Sequence, residues 1–189
     1  WALRRKQHSV WAPGMLGCAH CSDVTIKDAT FLDSPHGNIV FANSTAILVD
    51  GINITAPQDA PNTDGLNVLE CKNFTLRNSF ISNGDDGIAC DDGDNYFGGS
   101  DGVLIHDNRF VNGHGASIGS VRNGTVKHVI VRDCSFENTS NGARIKTWIG
   151  GSGEVFNITC KYSPRISLSV FVIFQPVSAM SLRQTRIWS

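Results

Sequence analysis

The sequence lacks a surplus of charge. Its 16 Lys and Arg nearly cancel 17 Asp and Glu, leaving a formal net charge of -1, which argues against a nucleic-acid partner. It has no run of 18 apolar residues, so no segment reads as a membrane span, and no secretory leader opens it. No segment sustains a 3.6-residue apolar period over three turns, which removes the helix as a building block. Cysteine is sparse: residues 18, 21, 71, 90, 134 and 160 are too scattered for a disulfide-dense scaffold and agree with one or two bridges in a secreted protein. Cys18-Ala19-His20-Cys21 has the spacing of half a zinc site, but no second pair follows. These read as core or bridge cysteines, and no metal is expected.

What is present is repetition. Asn62-Thr63-Asp64-Gly65, Gly84-Asp85-Asp86-Gly87, Gly113-His114-Gly115 and Asn141-Gly142-Ala143-Arg144-Ile145-Lys146 return at intervals of 22, 28 and 27 residues. This is a solenoid period, in which each repeat supplies one layer. Upstream of these phrases lie alternating segments opening at Val24, Ile47, Phe74, Val103 and Val129, with Val155 following in a blurred register. Alternation with period two predicts strands with one buried face. The Asn, Asp, Gly and Ser between them tolerate the backbone angles that tight corners need. The pattern predicts an all-β fold, a right-handed parallel β-helix of about six turns spaced roughly 4.8 Å apart. A β-sandwich is the bland alternative, but it has no reason to repeat a Gly-containing phrase.

A chain of 189 residues with 41% hydrophobic content is an ordinary soluble domain. Residues 1–163 are assigned to the solenoid, incomplete at both ends, and 164–189 to an atypical tail where neither Gly corners nor the period continue. Asn-x-Ser/Thr sequons at Asn43, Asn53, Asn73, Asn123, Asn138 and Asn157 suit a secreted protein, although such triplets also arise from turn composition.

The phrases carry different chemical heads. Asp64, Asp85 and Asp86 fall in adjacent layers, where like charges cannot all ionise freely, so one is pushed toward its protonated form. An acid beside carboxylates is what glycosidic cleavage requires: one group protonates the departing oxygen, another activates water. His114, one layer on, can tune a carboxylate's proton affinity. Arg144 and Lys146, two apart, lie on one side of a strand and can grip an anionic sugar. Singly, Asp-Gly is a turn and Arg-x-Lys a solvated face. Their fall in consecutive layers shifts the balance. Between Gly84 and Asp107, however, there are seven Asp and no Lys or Arg, a stretch that repels a polyanion unless basic residues elsewhere offset it.

In that order the four phrases resemble the signature motifs of polygalacturonases, the pectin-cleaving family 28 glycoside hydrolases. Ser34-Pro35, Ala56-Pro57, Ser117-Ile118-Gly119-Ser120 and Lys146-Thr147-Trp148 add to a similarity over residues 18 to about 162. The resemblance implies a secreted, monomeric enzyme that hydrolyses α-1,4 bonds between galacturonic acids of pectin, with inversion and without metal or cofactor. By motif position Asp85 is the general acid, and Asp64 and Asp86 hold the attacking water. His114 supports the acid, while Arg144, Lys146 and Asn62 bind substrate. Inversion corresponds to acid and base about 6.5 to 9.5 Å apart. Strict strand alternation would point Asp85 and Asp86 to opposite faces, so both reach one cleft only from a bend.

Departures from the family stand out. Many relatives have Cys after the paired aspartates and four residues before the His; here Gly87 and Phe110 stand there, as in a lineage without that bridge. The long interval from Cys90 to Gly102 leaves room for a loop that closes one cleft end, as an exo-acting enzyme needs. Asp91-Asp92-Gly93-Asp94 lacks the spaced ligands of a calcium loop and is read as a surface turn. Competing readings are a rhamnogalacturonan hydrolase, disfavoured by His114; a pectate lyase, whose eliminative chemistry needs calcium and an Arg base; and a truncated non-catalytic remnant.

Overall fold

A computed structural model describes residues 12–93, 98–148, 150–161 and the strand 181–188. Every regular element among them is a β-strand, and all pairings are parallel. The strands form three sheets wound into one right-handed parallel β-helix. The first sheet stacks β1 (Leu16–Ala19), β4 (Ile39–Ala42), β7 (Leu66–Leu69), β10 (Ile88–Asp91), β13 (Ala116–Val121) and β16 (Ala143–Thr147). The second stacks β2 (Ser22–Lys27), β5 (Thr45–Asp50), β8 (Lys72–Arg77), β11 (Asp101–His106), β14 (Thr125–Arg132), β17 (Glu154–Lys161) and β18 (Ser181–Trp188). The third stacks β3 (Thr30–Leu32), β6 (Asn53–Thr55), β9 (Phe80–Asn83), β12 (Arg109–Asn112) and β15 (Ser135–Glu137).

Only five described coils pass through all three sheets, so the solenoid has about five complete turns rather than six. The blurred register resolves as well. Val129 pairs with Ile158, not Val155, because the last interval lengthens to 29 residues. Within the segment set apart as a tail, residues 181–188 add a strand to the second sheet; residues 162–180 lie outside the described residues.

Alternation explains the core. Inward residues stack into columns one layer apart, such as Ile39, Leu66, Ile88 and Ala116, or Ile47, Phe74, Val103, Val129 and Ile158. These are nearly all sealed from solvent, and β-branched side chains suit that pleated packing. Corners follow the composition too. Asp28, Gly51, Asn78, Asp107 and Asp133 occupy one column between the second and third sheets, all at positive φ, a conformation that Gly, Asn and Asp adopt at least cost.

The polar-Gly phrases form the corner leading from the third sheet into the first. Gly65 N–H donates to Asp86 O, and Gly87 N–H to Gly115 O, so the Gly column and the preceding Asp64, Asp86, His114 and Asn141 climb layer by layer. Gly87 and Phe110, where the family resemblance leads one to expect two cysteines, face each other. A Cβ at position 87 would lie 2.5 Å from the Phe110 ring, which stacks on Phe136. An aromatic plug fills this place.

Cys18 and Cys21 form a disulfide, while Cys71, Cys90, Cys134 and Cys160 are buried thiols. The turn assigned to Asp91-Asp92-Gly93 is not a surface turn. Asp92 is buried, and its Oδ2 accepts the backbone N–H groups of Arg122, Asn123 and Gly124 at 2.8, 3.0 and 2.8 Å. Those three donors, one turn on, compensate one oxygen of the carboxylate, while Oδ1 is buried without a hydrogen-bond partner among the described residues. Asp94 lies outside the described residues.

Candidate active site

Asp85 and Asp86 occupy the bend between β9 and β10, outside regular pairing. The bend frees them from strand alternation, so both carboxylates reach the same side of the solenoid. Three neighbours fix it. Asn83 Nδ2 donates to Asp86 O at 2.7 Å and to Thr63 O at 2.8 Å, and Gly84 N–H donates to Thr63 Oγ1 at 3.0 Å. Gly113 permits the next layer to approach: at φ 57° it lies so close that a Cβ would strike the Asp85 carbonyl, to which His114 N–H donates at 2.9 Å.

Asp86 is the hub. Its side chain is 1% exposed, and Oδ1 accepts from Ser117 Oγ at 2.6 Å and Arg144 Nη2 at 2.5 Å, while Oδ2 accepts from Lys146 Nζ at 2.9 Å. Arg144 and Lys146 do share one side of β16, with Ala143 and Ile145 turned into the core. Arg144 Nε also donates to Ser117 Oγ at 2.7 Å. The two cations thus grip a carboxylate of the protein's own, two layers away.

His114 Nδ1 lies 3.1 Å from Asp85 Oδ1, 3.5 Å from Asp86 Oδ1 and 3.2 Å from Arg144 Nη2. As an N–H it donates to Asp85; unprotonated it accepts from Arg144. The hydrogen bonds to Asp85 and Asp86 raise its pKa to about 9, so the N–H form prevails in acid and at neutrality. Asn62 Nδ2 reaches Asp85 Oδ2 at 3.5 Å.

The three carboxyls divide. Burial, then the charges of Asp85 and Asp86, push Asp64 up to about 7. Burial also works against the charged forms of Asp85 and Asp86. At Asp85 the His114 hydrogen bond outweighs it, and at Asp86 His114, Lys146 and Arg144 hold the carboxyl well below its usual range. The expectation of one protonated acid among the three describes this site, and the group that holds the proton is Asp64.

Ligand atoms of Asp85, Asp86 and His114 lie within 4.8 Å of one another, closer than the spacing of about 6.5 to 9.5 Å expected between the acid and base of an inverting enzyme, and a spacing that admits a metal ion. Yet both Asp86 oxygens are engaged by cations, and Arg144 and Lys146 would repel a divalent ion. The cluster is arranged to handle protons and anions. All seven residues singled out from sequence therefore gather here. Ser117 was not among them: it joins Asp86 to Arg144, and its signal was its outward place on β13, in register with Arg144 on β16.

Parallel coils thus stack carboxylates of opposed proton affinity beside two cations in one cleft. The sequence profile of glycosyl hydrolases family 28 matches residues 2–167. A polygalacturonase of Chamaecyparis obtusa is 38% identical over 151 residues, 78% of this chain and 28% of that protein. Polygalacturonase from Erwinia carotovora ssp. carotovora shares the fold, with a TM-score of 0.70 at 21% identity over 94% of this chain and 57% of its own. Endopolygalacturonase I from Stereum purpureum, solved with two galacturonates, aligns with a TM-score of 0.63 at 27% identity, covering 75% of this chain and 43% of its own. The chain belongs to glycosyl hydrolase family 28. It spans about a quarter to a third of the length of the curated relatives it matches.

Proposed function

We propose that this chain carries the cleavage site of a polygalacturonase, which hydrolyses α-1,4 bonds between galacturonic acids of pectin with inversion. The observation that carries the reading is Asp86, an ionised carboxylate clamped by Arg144 and Lys146 beside the Asp85–His114 pair and a protonated Asp64. In the open cleft Asp85 and His114 share one proton, which rests on His114. A sugar ring over the pair excludes water and disfavours separated charges, so the proton moves to Asp85 and from there to the departing glycosidic oxygen. Asp86, held well below its usual range by its cations, deprotonates the attacking water, which Asp64 helps to orient by hydrogen bonding. Arg144, Lys146 and Asn62 meet the galacturonate carboxylate and hydroxyls beside the scissile bond.

A second assignment of the acid is favoured by one specific observation: Asp64 is the carboxyl that keeps its proton to about pH 7. An aryl galacturonide whose leaving group departs without a proton separates the two. The variant that lacks the acid, Asp85→Asn or Asp64→Asn, keeps most of its rate on that substrate, whereas a variant lacking the base does not.

The Cys18–Cys21 bridge and exposed sequon residues Asn43, Asn53, Asn73 and Asn138 support a secreted enzyme acting in an oxidising space such as the cell wall. Among the described residues no helix is long and apolar enough to cross a membrane. The test is product analysis on de-esterified polygalacturonic acid near pH 5. Saturated oligomers of mixed length identify endo action and monomer alone exo action. Unsaturated ends overturn hydrolysis in favour of elimination, and no products from folded protein overturn the enzyme reading.

A further inference from the structure

Five arginine side chains lie among the described residues, and four of them have a carboxylate partner: Arg77 with Asp50, Arg109 with Glu137, Arg132 with Asp133 and Arg144 with Asp86. Arg122 is different. Its guanidinium carbon sits 4.6 Å over the ring of Trp148, and it makes no ion pair with a described residue. Trp148 is 52% exposed, one of few large apolar side chains on this surface.

Both residues line the cleft that holds Asp64, Asp86 and Lys146, a groove of about 180 Å³ across the outer face of the first sheet. The strands give the groove a direction. Asp64 and Asp86 precede β7 and β10, whereas Arg122 and Trp148 follow β13 and β16. Two residues separate Lys146 from Trp148 and four separate Arg144 from it, so at about 3.3 Å each the pair stands about 7 to 13 Å along the groove from the two cations that clamp Asp86. Asp91 lies on the floor between, its Oδ1 accepting the Gly93 N–H at 2.8 Å.

The platform is built rather than incidental. Buried Asp92 fastens the backbone of Arg122, Asn123 and Gly124, and Gly151 N–H donates to Trp148 O at 3.0 Å, closing the turn that carries the indole. The guanidinium, over the indole and lining the cleft, can offer N–H groups to a ligand there. An indole beside a planar cation fits a uronic acid unit: the ring face covers sugar C–H groups, and the guanidinium takes the carboxylate in two parallel hydrogen bonds.

Resting on the polygalacturonase reading, we propose that Arg122 and Trp148 form a remote sugar subsite that holds a galacturonate unit at least one residue away from the scissile bond. It makes the enzyme selective for long, unesterified chains, and Asp92 positions it from beneath.

The test compares the parent chain with Arg122→Ala and Trp148→Ala on trigalacturonate and on a long, unesterified oligogalacturonide. Loss of a charge-assisted bidentate contact raises KM on the long substrate about tenfold in each variant. With kcat conserved, and with trigalacturonate kinetics within about twofold of the parent, the effect is confined to remote binding. Arg122→Lys restores only part of the affinity, since an ammonium has neither fork nor stacking plane. If Arg122→Ala fails to fold, Arg122→Gln and Trp148→Phe carry the test, with melting curves run beside the kinetics. Unchanged KM on the long substrate overturns the subsite, as does an equal loss on both substrates. A parent chain that turns over neither substrate overturns the underlying reading instead.

Discussion

Two pairs of opposite charges built by the same stacking rule have different fates. On the third sheet Arg109 forks onto Glu137 one turn away, at 2.8 and 2.7 Å, with both side chains about half exposed. In the cleft Arg144 and Lys146 close on Asp86 across two turns, and Asp86 is 1% exposed. The geometry of the outer pair is as good. Water and salt around it screen the charges, and the ordering of two long side chains offsets the gain. Inside the cleft neighbouring carboxyls compete for the same protons: burial pushes Asp64 up to about 7, while His114, Lys146 and Arg144 hold Asp86 well below its usual range. Reactivity in this solenoid comes from concavity and crowding, not from the pairing itself.

The contrast can be broken or sharpened by substitution. Asp85→Asn and Asp86→Asn are each expected to lower turnover of galacturonan by ~10³-fold while leaving the fold in place, because they remove proton-transfer groups. Activity of either variant within tenfold of the parent would deny the cleft its role. Lys146→Ala is expected to raise KM about tenfold with a smaller change in kcat, since the proposed partner of Lys146 in the complex is the substrate carboxylate. An unchanged KM would leave Lys146 as a partner of Asp86 alone.

Asp64→Asn addresses stability. The folded pKa of about 7 stands above the ordinary 3.8, so the folded chain binds the extra proton between those values and loses stability as pH rises through them. The variant is expected to match its parent near pH 4 and to exceed it by about 4 kcal/mol at pH 8 in denaturant titrations. Equal pH dependence for the two would place the raised proton affinity elsewhere. Arg109→Ala, at the other extreme, is expected to keep full turnover and a melting temperature within about 2 °C of the parent. A large drop there would erase the distinction between the two pairs.

Much of this was legible before the structure. The polar-Gly interval placed Asp64, Asp86, His114 and Asn141 in one column because each turn must return to the same corner, and the ladder keeps that alignment. The bend at Asp85 and Asp86 followed from the need to turn two neighbours to one side. Less accessible was the last repeat, since a period of 29 residues among periods of 23 to 29 gives alternation no unique frame. Asp92 was misread because acidic residues beside Gly look solvated. Its three backbone donors come from one turn on, and only the stacking of turns reveals them. Ser117 was hidden for a related reason: a serine in a strand announces nothing until its register with Arg144 is known. The contest between Asp64 and Asp85 for the proton depends on burial and on charges several layers away, quantities that motif order does not carry.

The parallel ladder also sets rules for how such a chain can change its length. Asp64, Asp86, His114 and Arg144 enter on four successive coils, each about 4.8 Å above the last. An extra coil inserted between β1 and β4 would lengthen the rod and leave every reacting group in place. The same insertion between β10 and β13 would lift Arg144 and Lys146 one rung from Asp86 and disconnect the clamp. Duplication can therefore extend this molecule freely toward its ends, while the four coils in the middle must be inherited as a block.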